Sequence, residues 1–252
     1  MSLATLASIA QDLRSEDVST VTAHIILLGP QGSGKGTQSE RVRARMNLAS
    51  IATGELFRSA IKRETELGKR IKAIYDRGEL APDDITVALV EERLNTQFSQ
   101  GPQSDLAGAL YDGFPRTAAQ AQALDDMLAG RGEQITVAIA IDVPRETLIE
   151  RLSGRRVCST CGRVYNVVSD PPKQPGICDI DGGALIQRAD DTPEAVAKRL
   201  DLYELETAPL VDRYAERGLV VHIDGDRSID EVTDAVVSAI MERSAVARET
   251  SA

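Results

Sequence analysis

The amino-acid sequence predicts an α/β fold: a parallel five-stranded sheet with helices packed on both of its faces. Five short apolar runs, at residues 24–28, 47–52, 106–111, 135–141 and 219–223, read as buried strands. Stretches of helical period separate them, so strands and helices alternate along the chain, the pattern of a sheet covered on both sides. The chain has 252 residues, 42% hydrophobic and 27% charged, which is enough for one such core with small appended units.

Each element has its own signal. His24-Ile-Ile-Leu-Leu28 is suited to the middle of a sheet and runs into a glycine-rich turn, after which residues 35–46 have helical character. Residues 54–78 are charged and helical in period, with Gly68 as an expected internal break. Asp83 and Asp84, following Pro82, open a helix to about residue 97, where acids favour a helix N-terminus. Residues 100–104 form a Gly/Pro/Ser loop, 117–129 a helix, and 135–141 the clearest strand, bounded by Asp142 and Pro144. A short helix is expected to about residue 153. Residues 154–191 then change character, with all three cysteines, several glycines, Pro171, Pro172 and Pro175, and read as an inserted mini-domain. A long helix is expected from 193 to 217, capped by Thr192. A final helix covers 229–243. Sites in such sheets gather at the carboxyl ends of the strands.

The bulk numbers exclude several classes. A net charge of −10 argues against nonspecific nucleic-acid binding, which needs Lys and Arg to neutralise phosphates. It leaves room for a small anionic ligand held by locally concentrated arginines. No apolar run reaches the roughly 20 residues of a membrane helix. Residues 1–20 lack a basic n-region and a continuous apolar core, so they read as an N-terminal extension and not a signal peptide. Three cysteines without a secretory signal point to a reducing compartment.

Gly29-Pro-Gln-Gly-Ser-Gly-Lys-Gly-Thr37 matches most of a phosphate-binding loop, with the P-loop NTPase-like arrangement of strand, loop and helix around it. Glycines let backbone N–H groups converge on phosphate oxygens, and the helix N-terminus adds positive potential. Gly32, Ser33, Gly34, Lys35, Gly36 and Thr37 are the expected contacts, Lys35 reaching the outer phosphates. Gly36 stands where a hydroxyl residue is usual, and the hydroxyl comes one residue later at Thr37. No Asn/Thr-Lys-x-Asp element specifies a GTPase. Leu152-Ser153-Gly154 is followed by Arg155 and Arg156, where a transport-ATPase signature needs Gly and Gln.

Gly36-Thr37-Gln38, Thr53-Gly-Glu-Leu-Phe-Arg58 and Asp112-Gly-Phe-Pro-Arg-Thr117 occur in that order. With them the sequence closely resembles the adenylate kinases, a family of nucleoside monophosphate kinases, from about residue 23 to 239. The resemblance implies reversible transfer of the ATP γ-phosphoryl group to AMP with Mg²⁺, by a cytoplasmic monomer. It places AMP on Thr53, Arg58, Glu79, Leu80 and Ala81, on Gly113, Phe114, Pro115 and Arg116, and on Gln120, Arg188 and Arg199, with Arg116 on the phosphate and Gln120 on the adenine edge. Asp112 would hold Mg²⁺ through water, as suits a cation that keeps waters beside one or two carboxylates. Arg151, Arg155, Arg188 and Arg199 would surround the transferring group, Arg151 also lying against the ATP adenine; Val164, Tyr165 and Arg227 complete the ATP set. Asp190 and Asp191 would support the arginines or the metal waters. A strand-end turn residue and a solvated-face arginine are the plainer readings of Asp112 and Arg199.

Cys158-x2-Cys161-x16-Cys178-x2-Asp181 has the paired spacing of one tetrahedral knuckle, suited to structural zinc. Buried unligated cysteines are the alternative. In the family, long lids carry either such a metal site or a hydrogen-bonded polar substitute, and this chain has the metal set; the implied division is an extension (1–22), a core (23–52, 83–153, 192–252), an AMP-binding helical flap (53–82) and a small zinc-knuckle lid (154–191). A kinase for UMP or CMP, or one using GTP, is the neighbouring reading. A zinc-ribbon binding module with a degenerate P-loop is the alternative of another class, against which the acidity and the arginine set count.

Overall fold

The computed structural model describes residues 22–64, 66–76, 79–98, 106–188 and 191–251; the expected extension at 1–20, the loop at 100–104 and Asp190 lie outside them. Five strands form one parallel sheet: β1 (Ala23–Leu28), β2 (Leu48–Ala52), β3 (Gly108–Asp112), β4 (Ile135–Asp142) and the last strand, β8 (Val220–Asp224), in the order β2-β3-β1-β4-β8. Between β4 and β8 the short strands β5 (Arg155–Cys158), β6 (Val164–Asn166) and β7 (Leu185–Ile186) form a second, antiparallel sheet.

The helices follow from the sequence pattern and cover both faces. In β1, Ile25 and Leu27 point to one side and Ile26 and Leu28 to the other, all fully buried. On the first side, α1 (Lys35–Met46) packs Val42, and the C-terminal helix α9 (Ile229–Ser251) packs Val232, Val236 and Ile240. On the second side, α4 (Asp83–Phe98) contributes Val90 and Leu94, α5 (Ala118–Ala129) Leu124 and Leu128, and α8 (Pro209–Glu216) Leu210 and Tyr214. Dry packing of this kind, on both faces of continuous apolar strands, holds a parallel sheet together.

Register fixes where the site must lie. Leu27 of β1 and Ala52 of β2 both pair with Asp112 of β3, so the three strands end level. The segments that follow, the loops from Gly29 and Gly113 and the helix that opens at Thr53, therefore gather on one edge.

Three helical expectations are corrected. The stretch 54–78 is two helices, α2 (Thr53–Lys62) and α3 (Glu66–Asp76), and the chain reverses at Arg63 and Glu64, the latter at φ 51°, not at Gly68. Gly68 sits within α3, where a Cβ would lie 2.2 Å from the Ala60 carbonyl oxygen, so its task is to let two helices touch. The expected helix 193–217 is broken into α7 (Pro193–Leu202), a π-helical turn (Tyr203–Thr207) and α8. Pro209 lacks the N–H that would continue the α-ladder, and Ala208 N–H reaches back to the Tyr203 carbonyl instead (2.8 Å). The final helix runs on to Ser251, past the expected end at 243.

A buried polar network lies at the amino-terminal end of the sheet. His24 Nδ1 meets Tyr111 Oη at 3.0 Å and its Nε2 meets Glu133 Oε2 at 3.1 Å. The hydrogen bond with His24, aided by Arg131, holds the Glu133 carboxyl down at about 2 against the opposing effect of burial. Being at the wrong end of the strands for the loops above, this histidine is part of the scaffold.

Candidate active site

The phosphate loop is shaped by positive-φ glycines. Gly29, Gly32 and Gly34 adopt φ of 144°, 88° and 95°, and a Cβ on Gly29 would lie 2.8 Å from the Ile141 carbonyl oxygen. Lys35 opens α1, and its ammonium donates to the Gly29 and Pro30 carbonyls at 2.6 and 2.8 Å. Neither Ser33 Oγ nor Gln31 Oε1, both buried, finds a hydrogen-bond partner among the described residues, so the loop turns unspent polar groups inward. Asp112 faces it: a Cβ on Gly36 would stand 3.6 Å from Asp112 Oδ2.

Lys35 reports on the charges around it. Burial away from water, partly opposed by Asp112 and reinforced by Arg116, Arg199 and Arg155, brings its pKa down to about 8. One lysine thus feels one carboxylate and three guanidinium groups drawn from three parts of the chain, a concentration of positive charge in an otherwise acidic protein.

The segment after β3 is built on reciprocal hydrogen bonds. Thr53 Oγ1 and Arg116 Nε both donate to the Gly113 carbonyl at 2.8 Å, and Thr207 Oγ1 donates to the Arg116 carbonyl at 2.9 Å. Phe114 is fully buried, and the Phe114–Pro115 peptide is cis. Thr117 caps α5 by accepting from Gln120 N–H, while Gln120 Oε1 accepts from Arg116 N–H at 2.8 Å. Arg58, one turn into α2, lies over Gly54, its Nη1 3.1 Å from where a Cβ there would be. Leu80 and Ala81 are half-buried, and the Glu79 carboxylate turns away to pair with Lys198 on α7 at 3.0 Å.

The arginines are held by acids. Asp191, with no exposed side-chain surface, takes Arg155 in a two-point pair, Nε to Oδ2 at 2.7 Å and a second bond from Nη2 to Oδ1. Arg199 Nη1 approaches the same carboxylate at 3.7 Å. Arg151, near the end of α6 (Arg145–Gly154), donates to the Gly225 carbonyl (2.9 Å) and to Asp226 (3.1 Å) in the turn after β8. Arg227 follows in that turn and pairs with Glu231, which also completes a Ser228 capping box at the start of α9. Arg188 is half-buried three residues before Asp191, whose N–H bonds its carbonyl.

The second sheet follows directly on α6: β5 (Arg155–Cys158) lies between β6 (Val164–Asn166) and β7 (Leu185–Ile186). Two matching turns present the cysteines. Gly162 N–H bonds the Cys158 carbonyl and Gly182 N–H the Cys178 carbonyl, each at 3.0 Å, with φ of 78° and 70° at the glycines. The three thiols and the Asp181 carboxylate offer ligand atoms all within 4.8 Å of one another. Cys161 and Cys178 sulfurs stand 3.6 Å apart, too far for a disulfide and close to the about 3.8 Å edge of a tetrahedron with Zn–S bonds of about 2.3 Å. Gly183 N–H above all, then Cys178, holds the Asp181 carboxyl down at about 2. A backbone hydrogen bond from Arg163 lowers Cys161, but burial and the neighbouring Asp181 and thiols outweigh it and push the thiol up to about 12. Three thiols and a carboxylate gathered this closely have the donor chemistry of a divalent-metal site.

Tyr165 packs with the buried Cys158 and Cys178. It is 2% exposed, and its hydroxyl meets Cys178 Sγ at 3.4 Å and accepts from Asp179 N–H at 2.8 Å. The side chain supports the cysteine cluster, whereas Val164, beside it on β6, is 47% exposed. Two groups that hold the site together escaped the sequence reading as site residues: Asp83, which accepts from Gln120 Nε2 at 2.7 Å, and Asn166, whose amide donates to the Arg151 carbonyl at 3.0 Å. Asp83 was visible only as a helix-opening acid, because its partner is 37 residues away.

A family model described as adenylate kinase matches residues 27–219. The chain is similar to the adenylate kinases of Carboxydothermus hydrogenoformans (49% identity over 217 residues, 86% of this chain and 98% of that one) and Moorella thermoacetica (49% over 216 residues, 86% and 97%). It is 46% identical over 217 residues to that of Staphylococcus aureus strain Mu50, covering 86% and 98%. With the loop, the strand-end aspartate and the arginines disposed as above, the chain belongs to the adenylate kinase family.

Proposed function

We propose that the protein catalyses reversible transfer of the ATP γ-phosphoryl group to AMP, giving two ADP. The observation that carries this reading is the convergence of Arg116, Arg155, Arg199 and Asp112 on the field of the loop lysine. In the reaction an AMP phosphate oxygen forms a bond to the γ-phosphorus while the bond to the ADP leaving oxygen breaks. The attacking phosphate is already ionised near neutral pH, so the protein supplies position and charge, not a general base.

In this reading the backbone of Gly32, Ser33, Gly34, Gly36 and Thr37 cradles the donor phosphates, and Lys35 moves its ammonium from the loop carbonyls to the outer phosphates. Arg151, Arg227, Val164 and the Tyr165 backbone border the donor base. Arg58 and Arg116 hold the acceptor phosphate, with Thr53 and residues 79–81 lining the base and Gln120 reading it. Arg155, Arg188 and Arg199 neutralise the equatorial oxygens as the group passes between nucleotides. Asp112 would hold Mg²⁺ through water, and the ion would add charge neutralisation on the donor phosphates. Residues 53–82 would act as the acceptor flap and 154–191 as the donor lid on the core, their closure excluding water that would turn transfer into hydrolysis. No helix among the described residues is long and apolar enough to cross a membrane, and three unpaired thiols suit a reducing cytoplasm.

Initial rates with ATP fixed should favour AMP strongly over CMP, UMP and GMP; equal turnover of CMP would remove the acceptor assignment.

For the lid, Cys158, Cys161, Cys178 and Asp181 would hold one Zn²⁺ as a closed structural site. Elemental analysis should find one zinc per chain. Its release by a thiol-reactive mercurial with chelator should lower Tm by roughly 5–10 °C, a few kcal/mol at about 2–4 °C each for a chain of this size. A metal-free preparation of equal Tm would refute the site.

A further inference from the structure

The Gln120 amide is held at both ends. Its oxygen accepts from Arg116 N–H at 2.8 Å and its nitrogen donates to Asp83 Oδ1 at 2.7 Å. Asp83 is itself fixed, because Oδ2 accepts from Thr117 Oγ1 at 3.0 Å, while that hydroxyl accepts from Gln120 N–H at 3.2 Å. The hydroxyl proton is therefore committed to the carboxylate and its lone pair to the helix. Gln120 is 2% exposed, so these are the partners that decide its orientation. A flipped amide would set its NH₂ against the Arg116 N–H and its oxygen against a carboxylate, exchanging two good hydrogen bonds for two repulsions.

An amide has two N–H donors and two oxygen lone pairs. One of each is spent on the lock, so one N–H and one lone pair remain, in an order the lock dictates. A 6-aminopurine meets such a pair with its amino N–H on the oxygen and a ring nitrogen on the N–H, the bidentate match of glutamine with adenine. A 6-oxopurine brings a carbonyl where the amino group stood and needs the amide reversed. We propose that Asp83 is a specificity-determining residue of the acceptor site: it never touches the base, but fixes the Gln120 amide in the orientation that accepts a 6-aminopurine and rejects a 6-oxopurine. Its location suits this role. It opens α4 directly after residues 79–82, and thereby ties the stretch proposed to line the base to the loop carrying Arg116.

The inference rests on the proposed function, with Gln120 as the base-reading residue. Asp83→Asn is the direct test, because an asparagine can itself present either a donor or an acceptor and so ceases to dictate the Gln120 orientation. With ATP fixed, the ratio of kcat/KM for AMP to that for GMP should fall roughly tenfold or more in the variant, the scale of one charge-assisted hydrogen bond. KM for AMP should rise and KM for ATP stay unchanged. Asp84→Asn removes a carboxylate from the same helical turn that makes no hydrogen bond to Gln120, and should leave the ratio as in the wild type.

An unaltered AMP/GMP ratio in Asp83→Asn, or equal losses for both acceptors, would overturn the proposal and leave Asp83 as a helix-end acid. Should Asp83→Asn fail to fold, Asp83→Glu carries the test: it keeps the charge but moves the oxygens by one methylene, and an unaltered ratio there overturns the proposal in the same way. A wild-type enzyme without preference for AMP over GMP would instead defeat the reading of the acceptor site itself, so the two failures are distinguishable.

Discussion

Replacing Lys35 by methionine is expected to lower kcat by roughly 10³-fold while leaving the fold intact, the scale of losing a pre-placed charge from a phosphoryl-transfer site. Methionine follows the lysine stem but offers no donor, so the two bonds to Gly29 and Pro30 are lost and nothing remains to follow charge onto the leaving phosphate. Stability should change little, because the same substitution removes a crowded cation that Arg116, Arg155 and Arg199 repel. Steady-state rates beside a thermal melt decide the matter: a variant within tenfold of wild-type kcat would show that the loop lysine is only a scaffold.

The same residue sets a pH limit. With its pKa lowered to about 8, Lys35 in the free enzyme is cationic below that value and loses its charge as pH rises through it. kcat/KM, which reports the free enzyme, should therefore show a limb falling above about pH 8. That limb should be absent from the Lys35→Met profile, since no titrating ammonium is left.

What the sequence disclosed and what it hid divide by distance along the chain. The phosphate loop, the strand ending at Asp112 and the cysteine turns were legible because the residues that make each lie within a few positions of one another. β1 with its following glycines needs nothing beyond local pattern to be recognised. Gly68 shows the opposite case: it reads locally as a helix break, yet its missing side chain is required by Ala60 on a neighbouring helix. The π-turn before Pro209 was equally hidden inside a good helical pattern. Tyr165 stands one residue from an exposed valine, and only the register of β5 with β6, which pairs Tyr165 with Arg156 and Val164 with Val157, reveals the opposite faces they occupy. Asp83 and Gln120 belong to different helices, and neither residue type implies the other. Side chains whose meaning lies in a distant partner are the ones sequence pattern cannot assign.

Asp191→Ala should be as damaging as the loss of a phosphate-binding arginine, although Asp191 is an acid in a site built for anions. Its carboxylate is fully buried and gathers Arg155 from the start of the small sheet and Arg199 from α7, side chains that are themselves only 16% and 12% exposed. Removing it leaves two confined cations without the charge that set their positions. Breaking a buried pair in this way costs about 3–5 kcal/mol, so the variant's denaturation midpoint should fall clearly. The catalytic loss should be separate and about 100-fold in kcat, because displacing a neutralising group by an ångström is enough to forfeit that much. Asp191→Asn distinguishes the two effects: it keeps the volume but replaces one accepting oxygen by an NH₂ that faces Arg155, so it too should lose most of kcat. If Asp191→Asn retained wild-type kcat within threefold, the carboxylate would be a packing element only. If instead both variants lose kcat with KM for AMP and ATP little altered, Asp191 acts on the transferring phosphoryl group through the arginines it holds, joining the small sheet to the core at the point where the two nucleotides meet.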